Sequence, residues 1–224
     1  MKFIKFALII SLSILFLTSC KENATKTKHK EPVIKKKREY RNFSKKNWIE
    51  LKSLDTTFIY DIRYAGKNNF VHKKMYPCAK CYLRPEVAQI LVKIQSELRN
   101  KNLSIKLFDC YRPGKVQKKL WEIKPDPHYV ANPKKGSMHN RGLAVDLTIV
   151  DKNGKELDMG TPFDYFGQKA HQNYKKLPDT ILKNRALLRN IMEKYGLEPI
   201  RTEWWHYSYR KKDYPVEQWV WECD

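Results

Sequence analysis

Apolar residues recur at helical spacing in three stretches of residues 47–224. In residues 85–99 an initial proline is followed by apolar positions three and four residues apart, which predicts an amphipathic helix. The same spacing predicts helices over residues 113–123 and 182–195, the second of them ended by Gly196.

Strands are predicted where apolar and polar residues alternate or where aromatic and β-branched residues cluster. Strands and helices do not alternate regularly, and no internal repeat or Gly/Ser-rich linker divides the segment. The pattern therefore predicts an α+β fold, a single compact domain with a small, mainly antiparallel sheet flanked by helices. The predicted strands are residues 48–51, 58–64, 103–108, 143–150 and 203–209.

The beginning of the chain has the pattern of an export signal. Residues 1–20 contain two lysines, an apolar run, and then small residues that end on Cys20. The run is shorter than the ~20 residues that a membrane-spanning helix needs. Residues 17–20 (LTSC) resemble a bacterial lipobox, so we expect residues 1–19 to be a lipoprotein signal peptide and Cys20 to be lipidated. An ordinary cleaved signal is the alternative.

The formal net charge of +21 raises the question of a nucleic-acid partner. Residues 21–46 alone carry eleven Lys and Arg against three Glu and almost no large apolar side chain, as expected of a solvated tether. Signal and tether together hold about half of the excess charge. We therefore expect a basic tether over residues 20–46, a folded domain over residues 47–224 and no nucleic-acid partner. The protein would be exported and anchored by lipid to a membrane of the cell envelope.

Four further cysteines lie in the expected folded domain: Cys78, Cys81, Cys110 and Cys223. An exported compartment permits disulfides, and four cysteines can pair in three ways. Cys78 and Cys81 form one CxxC motif, which could instead belong to a zinc site or a redox pair. A structural role is favoured because no second CxxC is present, and the pairing stays open.

Two polar clusters together have the composition of a catalytic zinc site. His139 and Asp146 lie seven residues apart, and a turn at Gly142 would bring their side chains together. Some sixty residues later, Glu203 and His206 add a carboxylate and an imidazole three residues apart. Two His and one Asp can hold zinc with one position open, while the remaining Glu takes a proton from water that the metal acidifies.

The spacing of Glu203 and His206 makes a structural demand. Positions three apart on a regular strand point to opposite faces. Glu203 must therefore lie at the beginning of its strand or in a bulge. Taken separately, each cluster also has a simpler explanation, such as a surface histidine, a turn aspartate or a salt bridge to one of the many lysines.

Four blocks of sequence resemble the D-alanyl-D-alanine dipeptidases, the VanX-like zinc peptidases, which belong to a broader group of enzymes that cut D-alanyl bonds in peptidoglycan. The blocks follow the family order over residues 48–210, and the last is the most specific, since a glutamate, two tryptophans and a histidine rarely coincide. They are residues 109–113 (DCYRP), 137–148 (SMHNRGLAVDLT), 159–164 (MGTPFD) and 203–207 (EWWHY).

The resemblance implies one zinc ion per chain and a role for each matching residue. It implies that Arg112 lies near the scissile carbonyl, where a guanidinium stabilises the oxyanion. Ser137 and Asp164 match the positions that receive the free ammonium of the dipeptide, an arrangement that rejects longer peptides. The implied zinc ligands are His139, Asp146 and His206. The implied catalytic base is Glu203.

Export departs from the family pattern, since the members that support glycopeptide resistance act in the cytoplasm. An exported enzyme would meet D-alanyl-D-alanine released by wall turnover, which favours salvage over resistance. Two alternatives remain open. One is a zinc D,D- or L,D-carboxypeptidase that acts on longer stem peptides, and the other is a non-catalytic, wall-binding lipoprotein. The sequence gives no indication of the oligomeric state.

Overall fold

A computed structural model of the chain describes residues 47–223. The predicted signal peptide, Cys20 and the basic tether lie outside the described residues, so the boundaries after residues 19 and 46 stay predictions. None of the helices in residues 47–223 has the length and apolar character needed to span a membrane.

The described part of the chain contains three α-helices: α1 (Pro85–Arg99), α2 (Gly114–Ile123) and α3 (Asp179–Lys194). All three were predicted. Helix α1 has the predicted bounds, with Pro85 at its first turn. Helix α3 begins three residues before the predicted start, because Asp179 supplies a negative charge at the positive end of the helix dipole.

Within residues 47–223, seven strands form two sheets. The larger sheet has the order β2-β4-β5-β7-β6, and all its neighbouring pairs are antiparallel except β2 with β4. Strands β1 and β3 form a separate antiparallel pair. The predicted α+β class with a small, mainly antiparallel sheet is confirmed. The strands are β1 (Ile49–Glu50), β2 (Ile59–Tyr60), β3 (Tyr82–Leu83), β4 (Leu103–Asp109), β5 (Ala144–Asp151), β6 (Glu198–Ile200) and β7 (Glu203–Ser208).

The predicted strands over residues 48–51 and 58–64 were too long. Each shrinks to two residues, and the chain then enters a 3-10 turn, Leu51–Ser53 after the first and Arg63–Ala65 after the second. Their aromatic and β-branched residues contribute to the packing of the core instead of extending the pairing between strands. Strands β3 and β6 were not predicted; β6 contains a proline, which an edge strand tolerates.

The central strands β4, β5 and β7 are buried along most of their length. Helix α1 packs against β4, and Gln95 fixes this contact, since its Oε1 accepts the Ile105 N–H at 2.9 Å and its Nε2 donates to Ser104 Oγ at 2.7 Å. Helix α3 packs against β6 and β7. The helices therefore hold β4, β5 and β7 as a rigid platform.

Two disulfides are present within residues 47–223: Cys78 pairs with Cys223 near the end of this range, and Cys81 pairs with Cys110. The two cysteines of the CxxC motif thus pair with distant partners and not with each other. The Cys81–Cys110 bridge joins the residue before β3 to the residue after β4. All four cysteines have a structural role, as the sequence favoured.

Candidate metal centre and substrate pocket

Two aspartates and one histidine lie in one row across strands β4, β5 and β7. Asp109 is paired with Asp146 between β4 and β5, and Asp146 is paired with His206 between β5 and β7. Residues that face each other on neighbouring strands project to the same side of a sheet. The antiparallel register therefore brings Asp146 and His206 together, although sixty residues separate them.

His139 reaches the same point from a loop. It begins the 3-10 turn His139–Arg141, which ends at Gly142 with a φ of 71°. A side chain at Gly142 would be strained there and would overlap the Trp48 ring. This glycine allows the chain to turn directly into β5, which carries Asp146.

The three predicted ligands form a compact triangle. The Nε2 atom of His139 lies 3.0 Å from His206 Nδ1 and 3.2 Å from Asp146 Oδ1, and the last two atoms are 3.0 Å apart. Ligand atoms around a tetrahedral zinc ion lie roughly 3.3–3.6 Å apart. Two ring nitrogens and a carboxylate oxygen at this spacing suit a bound zinc ion, and all three residues are buried.

A backbone carbonyl sets the orientation of His139. Its Nδ1–H donates to the Cys110 carbonyl oxygen at 2.7 Å, which leaves the Nε2 lone pair facing the other two ligand atoms. Such a second hydrogen bond fixes the tautomer of a metal-binding histidine. The Cys81–Cys110 disulfide is attached to the same residue, so the strand end that carries this carbonyl is covalently held.

Glu203 lies beside the triangle at the first position of β7. Its Oε2 is 4.0 Å from His206 Nδ1, and the β6–β7 register shifts at this point, with Ile200 opposite Glu203. The expectation of a strand entrance or a bulge is confirmed. Burial, and after it the charges of Asp146 and Asp164, raise the pKa of Glu203 well above its ordinary value.

Arg112 is buried at the edge of the same pocket. Its Nε and one terminal nitrogen donate to Asp109 Oδ2 at 3.0 and 2.7 Å, and the other terminal nitrogen donates to Gln117 Oε1 at 3.0 Å. Burial lowers the pKa of Arg112, but the nearby acidic groups, Asp109 first among them, together outweigh burial and keep the pKa well above the ordinary value. The guanidinium is therefore a fixed positive charge, 3.8 Å from Asp146 Oδ2.

Asp164 lies on another wall of the pocket, with a φ of 62°. Its carboxylate accepts long hydrogen bonds from the Tyr64 hydroxyl at 3.4 Å and from the Phe70 N–H at 3.3 Å. Burial, and then the charge of Asp146, raise the pKa of Asp164 to about 7. Long hydrogen bonds and a raised pKa indicate that the protein stabilises the ionised Asp164 carboxylate only weakly. A cation of a bound ligand would stabilise it further.

Ser137 also lines the pocket, although its hydroxyl oxygen accepts the His139 N–H at 3.2 Å. The structure thus places every candidate residue of the folded domain around one cavity of about 230 Å³. This volume lies below the roughly 300–1,000 Å³ of pockets for drug-sized ligands, which favours a small substrate.

An aromatic rim, formed by Phe70, Tyr129 and Phe166, borders this cavity and was missed by the sequence reasoning. The Phe166 ring lies 5.0 Å from the ring of Phe70 and 5.0 Å from that of Tyr129. Lys124 Nζ lies 5.0 Å from the Phe166 ring centre. The three rings come from separate loops without a common spacing, so no local pattern marked them.

Two residues that support Arg112 were also missed. Asp109 is fully buried and additionally accepts the Tyr76 hydroxyl at 2.7 Å, while Gln117 donates to the Ala131 carbonyl at 2.7 Å. Asp109 stands three residues before Arg112 and directly follows the strand predicted over residues 103–108. Its place in the family-like block of residues 109–113 was a signal, but no role was assigned to it.

Comparison with known proteins gives consistent matches. Residues 45–221 match a family described as D-ala-D-ala dipeptidase. A D-alanyl-D-alanine dipeptidase of Escherichia coli is 37% identical over 148 residues, 66% of this chain and 77% of that protein. One of Enterococcus faecium is 29% identical over 180 residues, 70% of this chain and 88% of that protein. The solved structure of VanYB in complex with D-alanine-D-alanine is 17% identical, with a TM-score of 0.39, and the match covers 58% of this chain and 72% of that one.

Proposed function

The chain belongs to the D-alanyl-D-alanine dipeptidase family, and we propose that it is a zinc-dependent peptidase that hydrolyses free D-alanyl-D-alanine or a closely related small dipeptide. The observation that carries this proposal is the convergence of His139, Asp146 and His206 next to Glu203, with all four residues buried. A small pocket that carries a fixed cation and a separate carboxylate agrees with a short, zwitterionic substrate.

In this proposal the two histidines and Asp146 hold one zinc ion. When bound, zinc supplies a Lewis acid that polarises the scissile carbonyl and acidifies water. Glu203 accepts a proton from the attacking water and later delivers it to the departing amine. Glu203 would therefore take the proton in the first step, hold it, and release it in the second.

Arg112 stabilises the negative charge that develops on the carbonyl oxygen during attack. The contacts with Asp109 and Gln117 support this role, since they fix the guanidinium before substrate arrives. Ser137 and Asp164 receive the substrate ammonium. The aromatic rim limits the space beyond them.

The role of Asp164 can be tested with Asp164→Asn. We expect KM for D-alanyl-D-alanine to rise roughly 10- to 150-fold, since a charged hydrogen bond contributes about 1.5–3 kcal/mol. The change in kcat should be small, because Asp164 does not contact the reacting bond. Steady-state kinetics measure both constants, and Asp213→Asn, at an exposed carboxylate, is the control. An unchanged KM would remove Asp164 from the substrate site.

We further propose that the enzyme is exported and held at a membrane by lipid on Cys20. The lipobox-like residues 17–20 support this proposal, as do two disulfides, which are typical of an oxidising compartment. The enzyme would then act on dipeptide released by wall turnover. The lipid anchor would fix the location of the enzyme and would have no role in the hydrolysis itself.

Cys20→Ser should abolish lipidation and release the protein from the membrane fraction. Ser19→Ala keeps a small residue before the cysteine and should stay membrane-bound. Fractionation of expressing cells, with mass spectrometry of the mature N terminus, measures both properties. Retention of an acylated N terminus in the Cys20→Ser variant would contradict the assignment.

A further inference from the structure

Asp164 lies in the middle of a long irregular segment. We call residues 159–171, between β5 and α3, the substrate loop; its regular structure is limited to the 3-10 turn Gln168–Ala170. Asp164 itself has a positive φ, a conformation that a non-glycine residue keeps only when its surroundings enforce it. Contacts from outside the loop must therefore hold Asp164 in this backbone conformation.

One side chain of α3 contacts both ends of this loop. Arg185 donates from Nε to the Met159 carbonyl at 2.7 Å and from its two terminal nitrogens to the carbonyls of Lys169 at 2.8 Å and His171 at 3.2 Å. Asp164 lies five residues from Met159 and five from Lys169. Arg185 thus joins the two flanks of the segment that presents the carboxylate.

The contacts of Arg185 use the particular chemistry of a guanidinium. Its side chain is buried, with 6% of the residue exposed, and burial lowers its pKa to about 10. Several rigidly oriented donors satisfy three loop carbonyls at once, which a lysine ammonium cannot match in geometry. The bond to the Met159 carbonyl is buried, and leaving a buried carbonyl unpaired is costly.

Other contacts hold single points of the loop: Phe163, next to Asp164, packs its ring against those of Phe108 at 5.0 Å and Trp205 at 5.3 Å. Trp204 Nε1 donates to Thr161 Oγ1 at 2.8 Å, which fixes the loop near its beginning only. The bonds of Asp164 to Tyr64 and Phe70 are 3.3–3.4 Å long. Arg185 contacts both the beginning and the end of the loop.

We infer that Arg185 is a positioning residue for substrate recognition: by fixing both flanks of the substrate loop, it sets the Asp164 carboxylate where the dipeptide ammonium binds. This inference rests on the proposed function, in which Asp164 receives the ammonium. Arg185 acts only through the loop and contacts neither the metal ligands nor the reacting bond.

The test compares Arg185→Met with Arg189→Met in the full mature chain. Arg189 lies one turn later on α3, is exposed, and donates to Glu193 of the same helix. We expect Arg185→Met to raise KM for D-alanyl-D-alanine about 10- to 100-fold, since a displacement of about 1 Å can have such an effect. The kcat and the bound zinc per chain should stay close to wild type, and Arg189→Met should resemble wild type throughout.

Hydrogen exchange of the substrate loop gives a readout that does not depend on catalysis. Residues 160–168 should exchange faster in Arg185→Met and at the wild-type rate in Arg189→Met. Arg185→Lys keeps a charge and a long stem, so it serves if the Met variant does not fold. In Arg185→Lys, both KM and the exchange rate of the loop should rise, but by less than in Arg185→Met.

The outcomes separate the inference from the proposed function. Wild-type exchange in both Arg185 variants would overturn the inference, and so would faster exchange with an unchanged KM. A fall in kcat together with a loss of bound zinc would also overturn the inference, since these changes would indicate general damage to the fold. If the wild type does not hydrolyse the dipeptide, the proposed function fails, while faster exchange in Arg185→Met would still show that Arg185 fixes the loop.

Discussion

Glu203→Gln is expected to lower kcat for D-alanyl-D-alanine by about 10²–10⁴-fold, the usual contribution of general acid and base catalysis. The substitution keeps the shape of the side chain and removes its ability to exchange a proton. Because the pKa of Glu203 is raised by burial and by nearby carboxylates, a neutral amide is well tolerated there. We therefore expect folding and zinc binding to be preserved.

Steady-state kinetics and metal analysis on the same preparation measure this prediction. Glu122→Gln, at an exposed glutamate of α2, is the matched control and should keep wild-type kinetics. A Glu203→Gln enzyme with kcat within a few-fold of wild type would exclude Glu203 as the proton carrier. Loss of zinc from that variant would instead place Glu203 among the groups that hold the metal.

The second large effect is expected for the metal ligands. His206→Ala removes one of three ligand atoms, so zinc affinity should fall by more than ~100-fold, the upper range for partners that only support a ligand. Hydrolysis should be lost at zinc concentrations that saturate the wild type. Asp146→Asn keeps the side-chain shape and should weaken zinc binding in the same direction, because it removes the negative charge of the site.

Competition with a chromophoric chelator measures zinc affinity without reference to activity. His72→Asn is the control, since His72 is exposed and has a φ of 52°, which asparagine tolerates. Thermal unfolding of each metal-free variant separates a local loss of affinity from a damaged fold. Unchanged zinc affinity in both His206→Ala and Asp146→Asn would disprove the proposed metal centre.

Sequence periodicity predicted the regular parts of the fold well. The spacing of apolar residues in α1 gave its bounds because a helix is defined by local contacts. Strand β3 has only two residues and pairs with β1 more than thirty residues earlier, so its own residues carry little signal. Strand β6 pairs with the neighbouring β7, but it has only three residues and contains a proline. The aromatic stretch at 58–64 was predicted as one strand, although only Ile59–Tyr60 pair in the sheet and the 3-10 turn Arg63–Ala65 begins within the stretch.

The proposed ligand residues were singled out because their types and spacing match zinc chemistry and because four blocks resemble a known family. The residues that support Arg112 and the substrate loop were harder to find. Asp109 and Arg185 act through buried hydrogen bonds, to Arg112 three residues away and to Met159 twenty-six residues away, and the same residue types are common in salt bridges. Only the folded arrangement distinguishes these roles, since the partner of each side chain is set by tertiary packing.

The central claim is that this site hydrolyses a free D,D-dipeptide with the help of zinc. The most direct measurement is the release of D-alanine by the purified mature chain from D-alanyl-D-alanine, from its N-acetylated form and from a stem pentapeptide, with L-alanyl-L-alanine as a stereochemical control. We predict rapid turnover of the free D,D-dipeptide alone, abolished by a chelator and restored by zinc. Faster cleavage of the pentapeptide, or turnover that a chelator leaves unchanged, would contradict the claim.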